Sequence, residues 1–325
     1  MSLSSHILRV GLGGFLALAL VACAPKSYMV KEPSASSLKF EMTGSAAPAR
    51  LAFLDERRGE ERNFSTGVLP ATLTLESGPV DAMQFLSKNV AAELNSRGVP
   101  VTAIVGDAGQ PVVHVRSFRI LNHRASGFSP FFTSTYLSAD IQTPQGSRRI
   151  AAFVRRGKVP VWSFTEVIDP TFNQPLSVAV KEFSSKLAVA MYSYKASDAT
   201  VKALVGKVTG TASPDTFLDV YALGFTNNPT AVDTLVSLTH SPDEYVRLAA
   251  ISSLGNLRAT SQFGLLKTMY QDVALPRPDR DMALKAIADF GTPESEAFIR
   301  EQIKQLGAQN DTEAQWTSRM LALYL

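Results

Sequence analysis

The feature that most constrains the fold of this chain is a helix-ending signal that recurs in its C-terminal third. A run of helix-forming residues ends in an apolar residue and a glycine three times, at Leu223-Gly224, Leu254-Gly255 and Phe290-Gly291, with glycine separations of 31 and 36 residues. Periods of this length are typical of solenoids built from helix pairs. The spacing therefore predicts an all-α repeat domain over residues 198–325.

Three similar helix-start signals accompany the repeat, at Ser213-Pro-Asp215, Ser241-Pro-Asp243 and Thr292-Pro-Glu294. In each signal the hydroxyl side chain is predicted to accept a hydrogen bond from a free backbone amide. Proline then suits the first helical position, and the carboxylate faces the positive end of the helix. Glu244 would complete a capping box with Ser241.

The best-defined unit runs from Asp243 to Gly255, with the pattern Val-Arg-x-Ala-Ala-x-x-x-Leu-Gly. It resembles the second helix of a HEAT repeat, and a weaker copy spans residues 281–291, so the segment holds about three units and a fragment. The resemblance implies that small residues permit close helix contact, that Asp and Arg side chains join neighbouring units, and that the stack presents a concave surface. Such surfaces bind proteins, and we place the candidate protein-binding residues at Tyr245, Arg247 and Trp316.

The chain ends in an apolar stretch, residues 321–325, which is unusual for a free end. Because the last unit of a solenoid has to be capped, we expect this stretch to pack on its own repeat stack. The alternatives are a contact with a partner protein or with the preceding domain.

Near the N-terminus, Leu20-Val-Ala-Cys23 follows a short apolar run and contains the one cysteine of the chain. The run is too short to cross a bilayer about 30 Å thick, which predicts a signal peptide over residues 1–22. The four residues resemble the lipobox of bacterial lipoproteins. This implies cleavage before Cys23, acylation of Cys23 by fatty chains such as palmitate, and anchoring at the periplasmic face of the outer membrane. The alternative is an ordinary secretory signal that leaves a free cysteine.

Residues 23–49 are rich in Pro, Ser and Ala, which predicts a flexible tether. The next segment, residues 50–197, has the pattern of an α+β domain with a mixed or antiparallel sheet and flanking helices. Its signals are a buried strand at Leu51-Ala-Phe-Leu54, a helix over residues 79–97, and an antiparallel meander over residues 112–121, 131–142 and 148–156. Asp169-Pro170 predicts the start of a final long helix, from about Thr171 to Lys195.

Three features of this domain resemble the YajG-like family of bacterial outer-membrane lipoproteins: Asp55-Glu-Arg57, Thr66-Gly67, and the helix-to-strand passage over residues 91–101. The resemblance implies a small mixed sheet flanked by helices and an accessory role in the cell envelope, and it brings no catalytic residues. A further charged cluster, Glu60-Glu-Arg62, follows the first loop here. We interpret this loop as solvated pairs of opposite charge, and the alternative is a ligand site at a strand end.

No set of reactive residues points to an enzyme. His114 and His123 lie nine residues apart along one predicted strand and so point to opposite faces, and His240 precedes a helix. The chain has no nucleophile elbow, phosphate-binding loop or dinucleotide fingerprint. We therefore expect a protein that is not an enzyme, with no catalytic residue, no metal and no cofactor.

Charge is unevenly distributed, since residues 1–200 hold 21 Lys/Arg and 15 Asp/Glu whereas residues 201–325 hold 11 and 14. A basic rim lies at the two ends of one predicted strand and consists of Arg148, Arg149, Arg155, Arg156 and Lys158. The rim could contact anionic lipid or envelope polymer, or it could be edge-strand charge that deters aggregation. A nucleic-acid partner is disfavoured by the predicted compartment.

Three functional hypotheses follow. The first is a lipid-anchored envelope adaptor or scaffold that binds another protein through its HEAT-like solenoid. The second is an accessory subunit of an outer-membrane transport, secretion or surface-assembly machine. The third is an enzyme that acts on an envelope polymer, although no set of candidate catalytic residues supports it.

Overall fold

The computed structural model describes residues 27–39, 41, 48–69, 71–126, 128–143, 146–158, 161, 163, 165–309 and 311–325. The predicted signal peptide, residues 1–22, and the predicted lipidation site, Cys23, lie outside the described residues.

A six-stranded mixed sheet is the centre of the N-terminal half. The strands among the described residues are β1 (Ser27–Met29), β2 (Ala49–Asp55), β3 (Ser65–Gly67), β4 (Thr72–Leu75), β5 (Gly78–Pro79), β6 (Val101–Val105), β7 (Val112–His123), β8 (Phe131–Thr143) and β9 (Gly146–Lys158). The sheet order is β6-β2-β7-β8-β9, with β3 also paired to β7. Strand β2 is parallel to β6 and β7, whereas β7, β8 and β9 form the predicted antiparallel meander.

Strands β1, β4 and β5 form a separate three-stranded sheet. Strand β1 lies in the segment predicted to be a flexible tether, and it pairs in parallel with β4. Val30 and Leu38 of the same segment are buried. These buried residues and the pairing of β1 show that part of the predicted tether is folded. The folded part of the chain therefore begins before residue 49.

The helices of this half are α1 (Ala82–Ser96), α2 (Thr165–Ile168) and α3 (Gln174–Tyr192). Asp81 caps α1 by accepting hydrogen bonds from the amides of Met83 and Gln84. The prediction that Asp169-Pro170 starts a helix is wrong, because α2 continues into α3 through a π-helical turn, Asp169–Asn173. Pro170 has no amide hydrogen to donate and is accommodated in this turn, where the regular helical hydrogen bonding is interrupted.

The described residues of the C-terminal half form eight α-helices, so the α+β domain is followed by an all-α repeat domain as predicted. They are α4 (Asp198–Val208), α5 (Thr216–Gly224), α6 (Val232–Leu238), α7 (Glu244–Asn256), α8 (Phe263–Gln271), α9 (Arg277–Phe290), α10 (Pro293–Gly307) and α11 (Thr312–Leu321). They pack as four consecutive pairs, and the second helices α5, α7 and α9 stack on one another. The fragment expected after the third unit is therefore a fourth helix pair.

The repeated glycines serve this stacking more than they end helices. A Cβ atom at Gly224 would lie 2.5 Å from Ser253 Oγ on α7, and one at Gly255 would lie 2.5 Å from Ala286 Cα on α9. Gly291 alone of the three has the left-handed conformation of a helix cap, with φ of 57°. Two of the three glycines are thus required by close approach between neighbouring units.

The helix starts differ from the prediction at two of three sites. Thr292 caps α10 as predicted, in a capping box with Ser295. At the Ser-Pro-Asp sites the serine hydroxyl accepts a hydrogen bond from the aspartate amide, and the helix begins after the aspartate. Asp243 is therefore the cap of α7, and the capping box predicted for Ser241 and Glu244 is wrong.

The two halves share one interface. The second helices of the repeat pack beside β9 and α3, so that Tyr136 and Phe153 of the sheet belong to the same core as Tyr221 and Leu254 of the repeat. Both faces of β8 are covered as a result, and most of its residues are buried.

The C-terminal end also joins this interface. Leu321 and Leu323 are buried, and the residues after α11 contact β8 and β9. Arg149 on β9 donates a hydrogen bond of 2.9 Å to the carbonyl oxygen of Leu325. The apolar end therefore packs against the α+β domain as well as its own repeat, which corrects the expectation of a contact with the repeat stack alone.

Candidate functional site

A large cavity lies where the two halves meet, and we call it the seam cavity. Its volume is about 740 Å³, within the range of roughly 300–1,000 Å³ that is typical of small-molecule sites. The ends of β7, β8 and β9 form one wall, and α7, α9 and α11 form the other. Apolar side chains such as Phe153, Leu248, Met282 and Met320 line its interior.

Aromatic rings form one end of the seam cavity. The ring centroid of Trp316 on α11 lies 4.7 Å from that of His123 and 5.1 Å from that of Phe132. The Trp316 and Phe132 rings meet nearly edge to face, an arrangement that aromatic pairs favour. The sheet and the repeat thus contribute adjacent rings to the same wall.

Two consecutive arginines of β9 line the cavity, and their environments differ. Arg155 donates hydrogen bonds of 3.0 and 3.2 Å to the two carboxylate oxygens of Glu313 on α11. The Arg156 guanidinium carbon lies 4.0 and 3.6 Å from the ring centroids of Phe217 and Tyr245. Burial lowers the pKa of Arg156 from its ordinary value.

Asp281 is a buried carboxylate in the wall formed by α9. It accepts hydrogen bonds of 2.9 Å from Arg277 Nε and 3.0 Å from Thr317 Oγ1. Burial raises its pKa, and the charge and hydrogen bond of Arg277 oppose this effect. The carboxylate therefore has its own partners and is a structural part of the cavity wall.

The structure brings two of the three predicted protein-binding residues together. Tyr245 and Trp316 both line the seam cavity, and the Tyr245 hydroxyl donates a hydrogen bond of 2.7 Å to the carbonyl oxygen of Gly157. Arg247 does not line it, since its Nε lies 2.7 Å from Asp279 Oδ1 on α9. Arg247 thus joins two neighbouring units, which is the role that the HEAT resemblance implied for such a residue.

The predicted basic rim is divided by the interface. Arg155 and Arg156 line the seam cavity, together with Lys158, whereas Arg148 and Arg149 line a second, more polar cavity of about 220 Å³. The two groups therefore lie at separate sites along β9, an edge strand of the described sheet. Helix α3 packs against this strand, and side chains of α7 and α11 contact its C-terminal end.

The charged loop after β2 is tied to the sheet. Arg57 is buried, pairs with Asp55 at 2.8 Å and donates to the carbonyl oxygen of Phe118. The Arg57 hydrogen bond keeps the pKa of Asp55 below its ordinary value, although burial acts in the opposite direction. Glu61 accepts from Arg119 on β7. These contacts fix the loop in place, so it is not merely a set of solvated pairs.

A buried charged quartet that was not predicted lies between α3 and α9 and consists of Glu182, Lys186, Lys285 and Asp289. Lys186 Nζ lies 2.5 Å from both Glu182 Oε1 and Asp289 Oδ1, and Lys285 is paired with the same two carboxylates. Burial would lower the pKa of Lys285, but the charges of Asp289 and Glu182 outweigh this and raise it. The available signal was a lysine amid the apolar residues 282–287.

The part of the chain that the structure describes provides no candidate for metal ligation or for membrane spanning. It contains no group of three or more His, Cys, Asp or Glu residues placed to hold a metal ion. Its helices also include none with the length and hydrophobicity needed to span a membrane.

Comparison with known proteins identifies the repeat. A family model described as HEAT repeats matches residues 220–276, from the middle of α5 to the loop before α9. No curated protein matches the chain. The four helix pairs show a helical repeat domain, of which residues 220–276 match HEAT repeats, and repeats of this kind generally mediate protein interactions.

Proposed function

We propose that this protein is a non-enzymatic adaptor that binds another protein through its HEAT repeats while lipid chains on Cys23 hold it at the periplasmic face of the outer membrane. The match to HEAT repeats carries the protein-binding part of the proposal. The lipobox-like residues Leu20-Val-Ala-Cys23 support the anchor. The YajG-like features of the first domain support a role in the envelope.

The contacts inside the protein favour the outer side of the repeat as the docking surface. The second helices of the pairs share a hydrophobic core with β9 and α3, whereas the first helices α4, α6, α8 and α10 pack mainly on their partner helices. A protein that binds the assembled molecule therefore finds the outer side open, while the inner side is largely covered by the α+β domain.

An aromatic group on α8 and α10 is the best candidate on this side. The Phe298 ring centroid lies 5.9 Å from that of Phe263 and 6.1 Å from that of Tyr270. All three rings are half-buried, and Val273 in the loop after α8 is 82% exposed. We call Phe263, Tyr270 and Phe298 the outer aromatic patch, and Val273, three residues after Tyr270, is the exposed position next to it in sequence. Aromatic residues are enriched in the cores of protein interfaces, which makes this patch the predicted centre of contact.

Site-specific photo-cross-linking in the source cells tests the docking surface. A photoreactive amino acid replaces Val273 in one full-length variant and Val105, an exposed valine of the sheet edge, in a control variant. We expect one defined cross-linked protein from position 273 that is absent from position 105. Identical products at both positions, or none at either, would contradict docking at this patch. The identity of the captured protein separates a general adaptor from a subunit of an envelope machine.

The anchor is tested by mass spectrometry and by membrane fractionation of the wild-type protein and Cys23→Ala. We expect acyl chains on Cys23 as the first mature residue. Three such chains, with about 0.8 kcal/mol per buried methylene, make release of the protein from the membrane negligible. Cys23→Ala should leave the membrane fraction. An unmodified thiol at Cys23 would refute the anchor and leave the cross-linking result untouched.

A further inference from the structure

The seam cavity contains a buried cation whose hydrogen-bonding capacity is only partly used. Arg156 is 8% exposed, and its Nη2 donates a hydrogen bond of 3.1 Å to Gln174 Oε1. Its Nε and Nη1 groups are buried and have no hydrogen-bond partner. Buried N–H donors without acceptors are costly, and the cost is higher when the group is charged.

The neighbouring side chains do not supply the missing acceptor. Glu313 is paired with Arg155, and Asp281 is paired with Arg277. Among the described residues, no carboxylate oxygen lies within 4.0 Å of an Arg156 nitrogen to form an ion pair. Lys158 adds a second positive charge to the lining. Glu244 also lines the cavity and adds one negative charge. Apart from the Arg155–Glu313 and Arg277–Asp281 pairs, two cationic groups therefore face one carboxylate, and apolar side chains form most of the remaining wall.

We infer that the seam cavity binds an amphiphile with one anionic head group and an apolar tail, such as a fatty acid. The head group accepts hydrogen bonds from Arg156 and pairs with Lys158. The tail lies along Phe153, Leu248, Met282 and Met320. Charge-assisted hydrogen bonds stabilise the head group, and removal of the tail from water supplies the remaining affinity.

The shape of the site favours a small ligand over a segment of a partner protein. The cavity is concave, mostly apolar and has a few convergent polar groups, which is the usual composition of a small-molecule site. This inference does not depend on the adaptor function, because the outer aromatic patch and the seam cavity are built from different helices.

Trp316 provides a direct optical probe of binding. The chain has two tryptophans, so Trp162→Phe in the full-length protein makes Trp316 the source of the tryptophan signal. Three compounds are titrated below micelle-forming concentrations: dodecanoate, dodecanol and acetate. Dodecanoate has the apolar tail and a charged head group, dodecanol has the same tail and a neutral head group, and acetate has the charged head group without a tail.

We expect saturable binding of dodecanoate, about tenfold weaker binding of dodecanol, and no binding of acetate, because a hydrogen bond to a charged group contributes about one order of magnitude in affinity. Arg156→Gln should weaken dodecanoate binding by about tenfold and leave dodecanol binding unchanged. Arg148→Gln, a partly buried arginine of the same strand that lines the second cavity, should bind dodecanoate normally.

Equal binding of dodecanoate and dodecanol would refute recognition of the anionic head group. Equal losses in Arg156→Gln and Arg148→Gln would refute the role of Arg156. If Arg156→Gln fails to fold, the comparison of the three compounds on the unchanged cavity still decides the inference. An absence of any binding would overturn it and favour a peptide segment as the occupant. None of these results depends on cross-linking from position 273.

Discussion

At the scale of single residues, the most consequential group is the buried quartet of Glu182, Lys186, Lys285 and Asp289. Two ammonium groups and two carboxylates make it electrically neutral, which is the condition under which charges are tolerated in an interior. Lys285 has no exposed surface, and its Nζ also donates a hydrogen bond of 2.8 Å to Ser252 Oγ on α7. The group therefore connects α3 of the first domain to two neighbouring units of the repeat.

We expect Lys285→Met to lower the free energy of unfolding by about 3–5 kcal/mol, because it leaves two buried carboxylates with one ammonium group between them. The measurement is urea-induced unfolding at neutral pH. Lys304→Met, which removes an exposed lysine of α10, is the control and should change the free energy by less than about 0.5 kcal/mol. Equal stability of the two variants would show that the quartet contributes little.

At the scale of helices and strands, local patterns predicted the framework well. The repeat of helix pairs and the strand runs of residues 112–156 are visible in local sequence, and both are confirmed. The helix-ending role predicted for the glycines holds only at Gly291, because Gly224 and Gly255 serve contacts with the next unit. The helix starts predicted at Asp169-Pro170 and Ser241 are wrong because one short sequence can meet the hydrogen-bonding needs of its backbone in two local conformations. Ser-Pro-Asp can cap a helix with its serine, or it can form a turn and cap with its aspartate.

The seam cavity could not be predicted in the same manner. Tyr245 contacts Gly157 across 88 residues of sequence, and no local pattern specifies which strand will meet which helix at that distance. Tyr245 and Trp316 could be proposed singly, because they are aromatic residues on predicted repeat helices. Their juxtaposition with Arg155 and Arg156 depends on how the repeat packs against β9.

The close stacking of second helices leads to a prediction with an unusual sign. Replacement of an interior helix glycine by alanine normally stabilises a helix by about 1 kcal/mol. Gly255→Ala should instead lower the free energy of unfolding by roughly 1–2 kcal/mol, since its Cβ would lie 2.5 Å from the Ala286 Cα on α9 and would force the helices apart.

The matched control for this prediction is Gly206→Ala in α4, where a Cβ would meet no atom within 4 Å. It should raise the free energy of unfolding by up to about 1 kcal/mol. Both values come from the midpoints and slopes of urea denaturation curves. A stabilised Gly255→Ala variant would mean that the two helices are not held as closely as described.

At the scale of the whole molecule, the repeat does not stand apart from the first domain. Repeat arrays are quasi-one-dimensional, so that each unit contacts its neighbours and units can unfold separately. Here the second helices pack beside β9 and α3, the charged quartet crosses the boundary, and the C-terminal residues after α11 return to the sheet. The sheet therefore acts as a common support for several units of the repeat.

This arrangement predicts that the two halves unfold as one cooperative unit, although a two-domain chain commonly shows separate transitions. Trp316 fluorescence in the Trp162→Phe background reports on the boundary, and hydrogen exchange reports on α3 and α9 individually. The urea midpoint of the fluorescence transition should coincide with that of far-ultraviolet circular dichroism, and α3 and α9 should have similar protection. Lys285→Met should shift both transitions together. Loss of protection in α9 at urea concentrations that leave α3 protected would show that the repeat unfolds independently of the sheet, and it would contradict the prediction of one cooperative unit.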